Sequence, residues 1–186
     1  MSQPKRKIVF IDRDGVINID LWKYVEHWEE FKFEPTALEA LKALTDEGFD
    51  IIIISNQAGV GDGIFSETAM WDVHERMVEV MANHGVFIYS AQYCTHGKGE
   101  NCACRKPKTG LLERAVTGID FDPPKTFFVG DKLSDIEAGK NFGIKTILVR
   151  TGYGVKTEAQ LTNDLQPDLI VDNLKAAVPM ILEAQK

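Results

Sequence analysis

The chain has 186 residues, a net charge of −7, 44% apolar residues and 26% charged residues. The length fits a single domain, here residues 1–186, since domains usually run from about 100 to 200 residues, and the composition is that of a globular protein. The acidic balance argues against nucleic acid as a partner, although a local cationic pocket still admits a small phosphorylated substrate.

The start is basic, but only residues 8–11 follow it as an apolar run. That is too short for a signal-peptide core, and no run approaches the roughly 18 apolar residues of a membrane span. A cytoplasmic monomer that does not engage membranes is expected. Residues 8–11 read as a β-strand that ends at Asp12-Arg13-Asp14-Gly15. Residues 35–47 read as a helix, with Pro35 in its first turn, Leu38, Leu41 and Leu44 at helical spacing, and Gly48 as its stop. Residues 51–54, four isoleucines, form a second strand ending at Ser55-Asn56-Gln57. Ser66 caps a second helix, with Met70, Val73, Met77 and Val80 on one face and Gly85 after it.

A third strand is expected within 86–93 and a helix near 111–116. Strand four covers 126–129 and ends at Gly130-Asp131. A short helix spans 134–142, strand five covers 146–149, and residues 168–171 form a sixth. The last helix begins near Leu174, and Pro179 should kink or delay it. Strands that alternate with helices and are apolar throughout predict an α/β domain, a Rossmann-like central parallel sheet flanked by helices.

Ligands of open α/β sheets bind beyond the carboxyl ends of the strands. The polar clusters fall there: Asp12 and Asp14, Ser55 and Asn56, and Asp131. Singly, each is an ordinary turn cap; together they point to one site. Asp12, Asp14 and Asp131 form a hard oxygen set suited to Mg²⁺. A carboxylate can attack phosphorus to give an aspartyl-phosphate, and a second carboxyl can shuttle the proton. Ser55 and amides near Asn56 can donate to phosphoryl oxygens, with a lysine neutralising the remaining charge.

All three cysteines lie in one stretch. Cys94, His96, Cys102 and Cys104 have the spacing C-x-H-x5-C-x-C, the ligand types of a closed, structural Zn²⁺ site. Three cysteines cannot all pair within one chain, and a reducing compartment disfavours disulfides. Arg105 and Lys106 follow directly. A zinc-stapled loop would aim both cations at the carboxylates, the Arg105 fork suiting a second phosphate or a carboxylate.

"FIDRDGVIN", "IIIISNQ", "CRKPKTG" and "FFVGDKLSDIEAG" resemble, in order, the four motifs of the haloacid dehalogenase (HAD) superfamily. The resemblance implies Asp12 as nucleophile, Asp14 as general acid/base, and Ser55 and Lys106 as holders of the phosphoryl group. It implies Mg²⁺ on Asp12, Asp131 and the Asp14 carbonyl, with Asp135 an outer-shell acid or a plain helix-start carboxylate. The cysteine loop resembles that of the zinc-loop branch, whose members typically lack a large cap domain. Further resemblance over "RDGVINIDLWKYV", "SNQAGVGDGIFSE" and "LVRTGYG" implies removal of the 7-phosphate of D-glycero-D-manno-heptose 1,7-bisphosphate. Asp20, Tyr24, Ser55, Asn56, Gln57, Arg105 and Lys106 would then contact substrate. Histidinol phosphate is the alternative substrate, because the loop is short. A signalling phospho-acceptor domain fits less well, since strand three ends in Cys94 where such domains place the acceptor aspartate. A phosphatase-like fold without activity is opposed by the full set of motif residues.

Overall fold

In the computed structural model, residues 5–186 are described, so residues 1–4 of the basic start lie outside it. The elements run β1 (Ile8–Ile11), α1 (Ala37–Asp46), β2 (Asp50–Asn56), α2 (Ala58–Gly61), α3 (Glu67–Asn83), β3 (Ile88–Cys94), α4 (Gly110–Ala115), β4 (Phe127–Gly130), α5 (Leu133–Phe142), β5 (Lys145–Val149), α6 (Gly154–Glu158), β6 (Leu169–Val171) and α7 (Leu174–Glu183). All strand pairings are parallel, in the order β3-β2-β1-β4-β5-β6. The order reverses between β1 and β4. A crevice therefore opens beyond the carboxyl ends of these two neighbours, where Asp12 and Asp131 stand.

The continuous apolar strands are explained by burial on both faces. Side chains alternate across a strand. Val9, Ile11, Ile51 and Ile53 face a core completed by Leu41 and Leu44 of α1, Met70, Val73 and Met77 of α3, and Ala177 and Ile181 of α7. Ile8, Phe10, Ile52 and Ile54 face the other layer, with Leu111 and Leu112 of α4 and Ala138 of α5. Cys94 and Cys104 belong to this second layer, which ties the cysteine loop to the core.

The expected cap at Ser66 is present: its Oγ accepts from the Ala69 amide at 3.1 Å. Pro179 does not delay the last helix: α7 begins at Leu174, as expected, and runs through Pro179 to Glu183. Burial of Leu174, Ala177, Val178 and Ile181 offsets the one backbone bond that proline cannot donate. Among the described residues, no helix is long and apolar enough to cross a membrane.

Candidate active site

Asp12 follows the last residue of β1, and its amide donates to the Val129 carbonyl of β4 at 2.9 Å. This fixes the residue at the switch point. Its Oδ1 accepts from the Arg13 amide at 2.8 Å and lies 3.0 Å from Lys106 Nζ. Burial pushes the Asp12 carboxyl up in pKa, the Lys106 charge pulls it down, and Asp135 pushes it up again; the net direction is upward.

Lys106 is almost fully buried, and its ammonium lies against three oxygens, two in ion pairs and one in a hydrogen bond. These are Asp12 Oδ1, Asp135 Oδ1 at 2.6 Å, and the Ile54 carbonyl at 2.9 Å. Burial lowers its pKa, but the Asp12 and Asp135 charges more than offset that and raise it. Asn56 fixes the backbone of Lys106 reciprocally: its Nδ2 donates to the Lys106 carbonyl and its Oδ1 accepts the Lys106 amide, both at 3.1 Å. Asp135 also acts as a helix-start carboxylate: its Oδ2 accepts the Lys132 amide at the start of α5, at 3.0 Å.

Asp131 is fully buried. Its Oδ2 accepts the Tyr153 amide at 2.8 Å, while Oδ1 has no hydrogen-bond partner among the described residues. The nearest cation, Lys132 Nζ, is 3.6 Å away. Burial pushes this carboxyl well above its usual range; Lys132 opposes the shift and Asp12 and Asp135 add to it. Ligand oxygens of Asp12, Asp131 and Asp135 lie within 4.8 Å of one another. A buried, unpartnered carboxylate oxygen in such a cluster fits a hard divalent cation such as Mg²⁺. Gly15 is required beside it: φ is +86°, and a Cβ there would lie 2.1 Å from Asp131 Oδ2.

Asp14 is held differently. Its Oδ1 accepts from Arg13 and from Asn18 Nδ2 at 3.0 Å, and its Oδ2 from Gln57 Nε2 at 2.8 Å. Burial would raise its pKa, but the Arg13 charge and hydrogen bonds, with Lys132 and Asn18, bring it below the ordinary value. Gln57 is fully buried and also donates to Ser55 Oγ at 3.0 Å. Through these two bonds it positions both Asp14 and Ser55.

A cavity of about 340 Å³ opens above the carboxylates, lined by Asp12, Asp14, Ser55, Asn56 and Lys106, with Asp20 and Tyr24 from the segment after β1. Arg105 lines it too, as expected. Lys98, Lys132 and Tyr153 also line it, and sequence reasoning missed all three. Lys132, directly after Asp131 in motif four, was the nearest to a sequence signal. Trp22, 55% exposed, packs edge-on to Tyr153 with ring centroids 4.4 Å apart. His74 is half-buried, and its Nδ1 lies 2.9 Å from Tyr93 Oη.

The cysteine loop closes as a cluster. Cys94 Sγ lies 3.7 Å from Cys102 Sγ and 3.3 Å from Cys104 Sγ, and His96 Nδ1 lies 3.2 Å from Cys104 Sγ and 3.6 Å from Cys94 Sγ. These separations are far beyond the roughly 2.05 Å of a disulfide. They approach the edge of a tetrahedron built on zinc–sulfur bonds of about 2.3 Å. Burial and the Cys104 thiol push Cys94 up to about 12. Burial opposes ionisation of Cys102, yet the Arg105 amide and the neighbouring thiols bring it down to about 6. A divalent soft-ligand metal would hold all three as thiolates, so the donor set fits Zn²⁺. The loop seats backbone to backbone on α2: a Cβ at Gly61 would lie 2.1 Å from the Gly97 nitrogen.

Residues 103–177 match the HAD-hydrolase-like family. The chain is 38% identical over 175 residues to D-glycero-beta-D-manno-heptose-1,7-bisphosphate 7-phosphatase of Haemophilus ducreyi, covering 90% of this chain and 96% of that one. It is 33% identical over 178 residues to the enzyme of that name from Pseudomonas aeruginosa, covering 96% and 99%. The crystal structure of D,D-heptose 1,7-bisphosphate phosphatase from B. bronchiseptica, complexed with magnesium and phosphate, aligns with a TM-score of 0.89 at 32% identity, covering 95% of this chain and 98% of that one.

Proposed function

The chain belongs to the heptose-1,7-bisphosphate 7-phosphatase family of HAD-like hydrolases, and from that premise we propose that it removes the 7-phosphate of D-glycero-D-manno-heptose 1,7-bisphosphate. The single domain of residues 1–186 carries the whole site on this reading. The observation that carries the proposal is the joint placement of Asp12, Asp14, Lys106 and Asp131 at one crevice, in a chain this similar to enzymes of that name.

Asp12 is the nucleophile. Both its contacts fall on Oδ1, which leaves Oδ2 for the attack on phosphorus. The new Asp12 O–P bond forms as the P–O bond to C7 breaks, and Asp14 gives its proton to the departing oxygen. Asp14 is an anion in the free site, held by Arg13, Asn18 and Gln57. A bound phosphoryl dianion raises its proton affinity, so Asp14 takes up one proton from solvent as the substrate binds, and this is the proton it gives to the departing oxygen. Asp14 then takes a proton from water as that water attacks the aspartyl-phosphate; the P–O bond to Asp12 breaks, and inorganic phosphate leaves. Ser55 and the amides around Asn56 orient the phosphoryl oxygens, and Lys106 offsets their charge. Mg²⁺ would be held by Asp12, Asp131 and the Asp14 carbonyl, and when bound it supplies charge that screens the carboxylate from the phosphoryl group. Zn²⁺ on Cys94, His96, Cys102 and Cys104 would be structural, since four protein ligands leave no open position.

Histidinol phosphate is disfavoured by the cavity's charge. Arg105 and Lys98 line it, and both repel a substrate whose distal end is an ammonium. The test is Mg²⁺-dependent phosphate release from both anomers of heptose 1,7-bisphosphate, histidinol phosphate and simple sugar phosphates. Preference for a heptose anomer is expected; preference for histidinol phosphate would overturn the assignment.

A further inference from the structure

Five cationic side chains line the cavity: Lys23, Lys98, Arg105, Lys106 and Lys132. Three are neutralised by carboxylates. Lys23 pairs with Glu30, Lys106 with Asp12 and Asp135, and Lys132 with Asp20. Arg105 and Lys98 are not. Arg105 donates only to the carbonyls of His96 and Gly97, and its buried Nε has no partner among the described residues. Lys98 has no carboxylate partner among the described ion pairs, and its Nζ stands 5.9 Å from the Tyr24 ring centroid.

The position of Lys98 is built, not incidental. Its amide donates to Asp62 Oδ1 at 2.8 Å, and the Gly97 amide donates to Glu100 Oε1 at 2.6 Å. The peptides before it hold the Arg105 guanidinium, and Gly61 seats the loop on α2. Arg105 and Lys98, neither paired to a carboxylate among the described ion pairs, thus line the cavity from one loop whose backbone Asp62 and Glu100 hold, and Lys98 Nζ lies 5.9 Å from the Tyr24 ring centroid of the motif-one segment.

Resting on the bisphosphate reading above, we propose that Lys98 is a specificity-determining residue that binds the phosphate which is not hydrolysed, together with Arg105. A doubly charged phosphate brought to this pair gains charge-assisted contacts, and a substrate without it leaves both cations unneutralised. The short segment between His96 and Cys102 thus supplies its own distal-phosphate donor.

The test compares kcat/KM for heptose 1,7-bisphosphate with that for heptose 7-phosphate, which carries the same reacting group, at low ionic strength. In Lys98→Met the ratio of the two should fall about tenfold, the scale of one lost hydrogen bond to a charged group, and Lys98→Arg should restore most of it. An unchanged ratio in Lys98→Met, or a fall that Lys98→Arg does not restore, would overturn the assignment of Lys98 while leaving the bisphosphate reading intact. A wild-type ratio near one would instead overturn the bisphosphate reading itself.

Discussion

Replacing Lys106 with Met tests the electrostatic core of the site. The ammonium is 3.0 Å from Asp12 Oδ1, 2.6 Å from Asp135 Oδ1 and 2.9 Å from the Ile54 carbonyl, with only 2% of its side chain exposed. Methionine keeps the stem's volume and removes the charge. Two buried carboxylates then face each other without their nearest counter-ion, and the Ile54 carbonyl loses a donor. Breaking a buried ion pair from one side costs about 3–5 kcal/mol, which for a chain of this size lowers Tm by on the order of 10 °C. Urea unfolding at pH 7.5 without added Mg²⁺ measures the loss. The deficit should shrink as the pH falls, because protonating Asp12, whose pKa burial already pushes upward, removes the repulsion. Adding Asp135→Asn should recover part of it, as expected for groups that share one network. A loss below about 1 kcal/mol, or a deficit independent of pH, would refute the reasoning.

Asp12→Asn should abolish turnover with the fold intact, and Asp14→Asn should be nearly inactive while still binding Mg²⁺; steady-state assays with far-ultraviolet circular dichroism separate chemistry from folding. Cys102→Ser should release zinc and lower stability, and metal analysis of wild-type protein purified without chelator should find about one zinc per chain. Tyr93→Phe should change alkaline stability. Burial pushes the Tyr93 hydroxyl up to about 12, against the lowering pull of Arg13. The unfolded chain releases this proton near its ordinary value of about 10, so the contribution is fully present below about pH 10 and is lost as pH rises towards about 12. Wild type should lose about 2–3 kcal/mol across that window that Tyr93→Phe does not; parallel denaturation curves at pH 9 and 11.5 would contradict this.

The sheet was legible because its strands are apolar without alternation, and residues 51–54 can hardly be anything else in such a pattern. The carboxylates were legible because each follows a strand end. Helices α2 and α6, of four and five residues, are too short to show a 3.6-residue period. The last helix was legible in spite of Pro179, but not that it would start undelayed at Leu174, since tertiary burial rather than local backbone chemistry decides that. The roles of Gln57 and Arg13 were hidden for another reason. Both are polar residues in the motifs, and only packing reveals that they turn inward to Asp14. Lys98 and Tyr153 lie far from the motif carboxylates in sequence and reach the cavity through long-range loop placement, which no periodicity reports.

The most direct test of phosphoryl transfer to Asp12 is rapid acid quench of the enzyme during turnover of heptose 1,7-bisphosphate labelled with ³²P at the 7-position, followed by peptide mapping. A label that is stable in acid, released by hydroxylamine and located on the peptide containing Asp12 is predicted. Turnover with no transient label on the protein, or label on a different residue, would contradict the account.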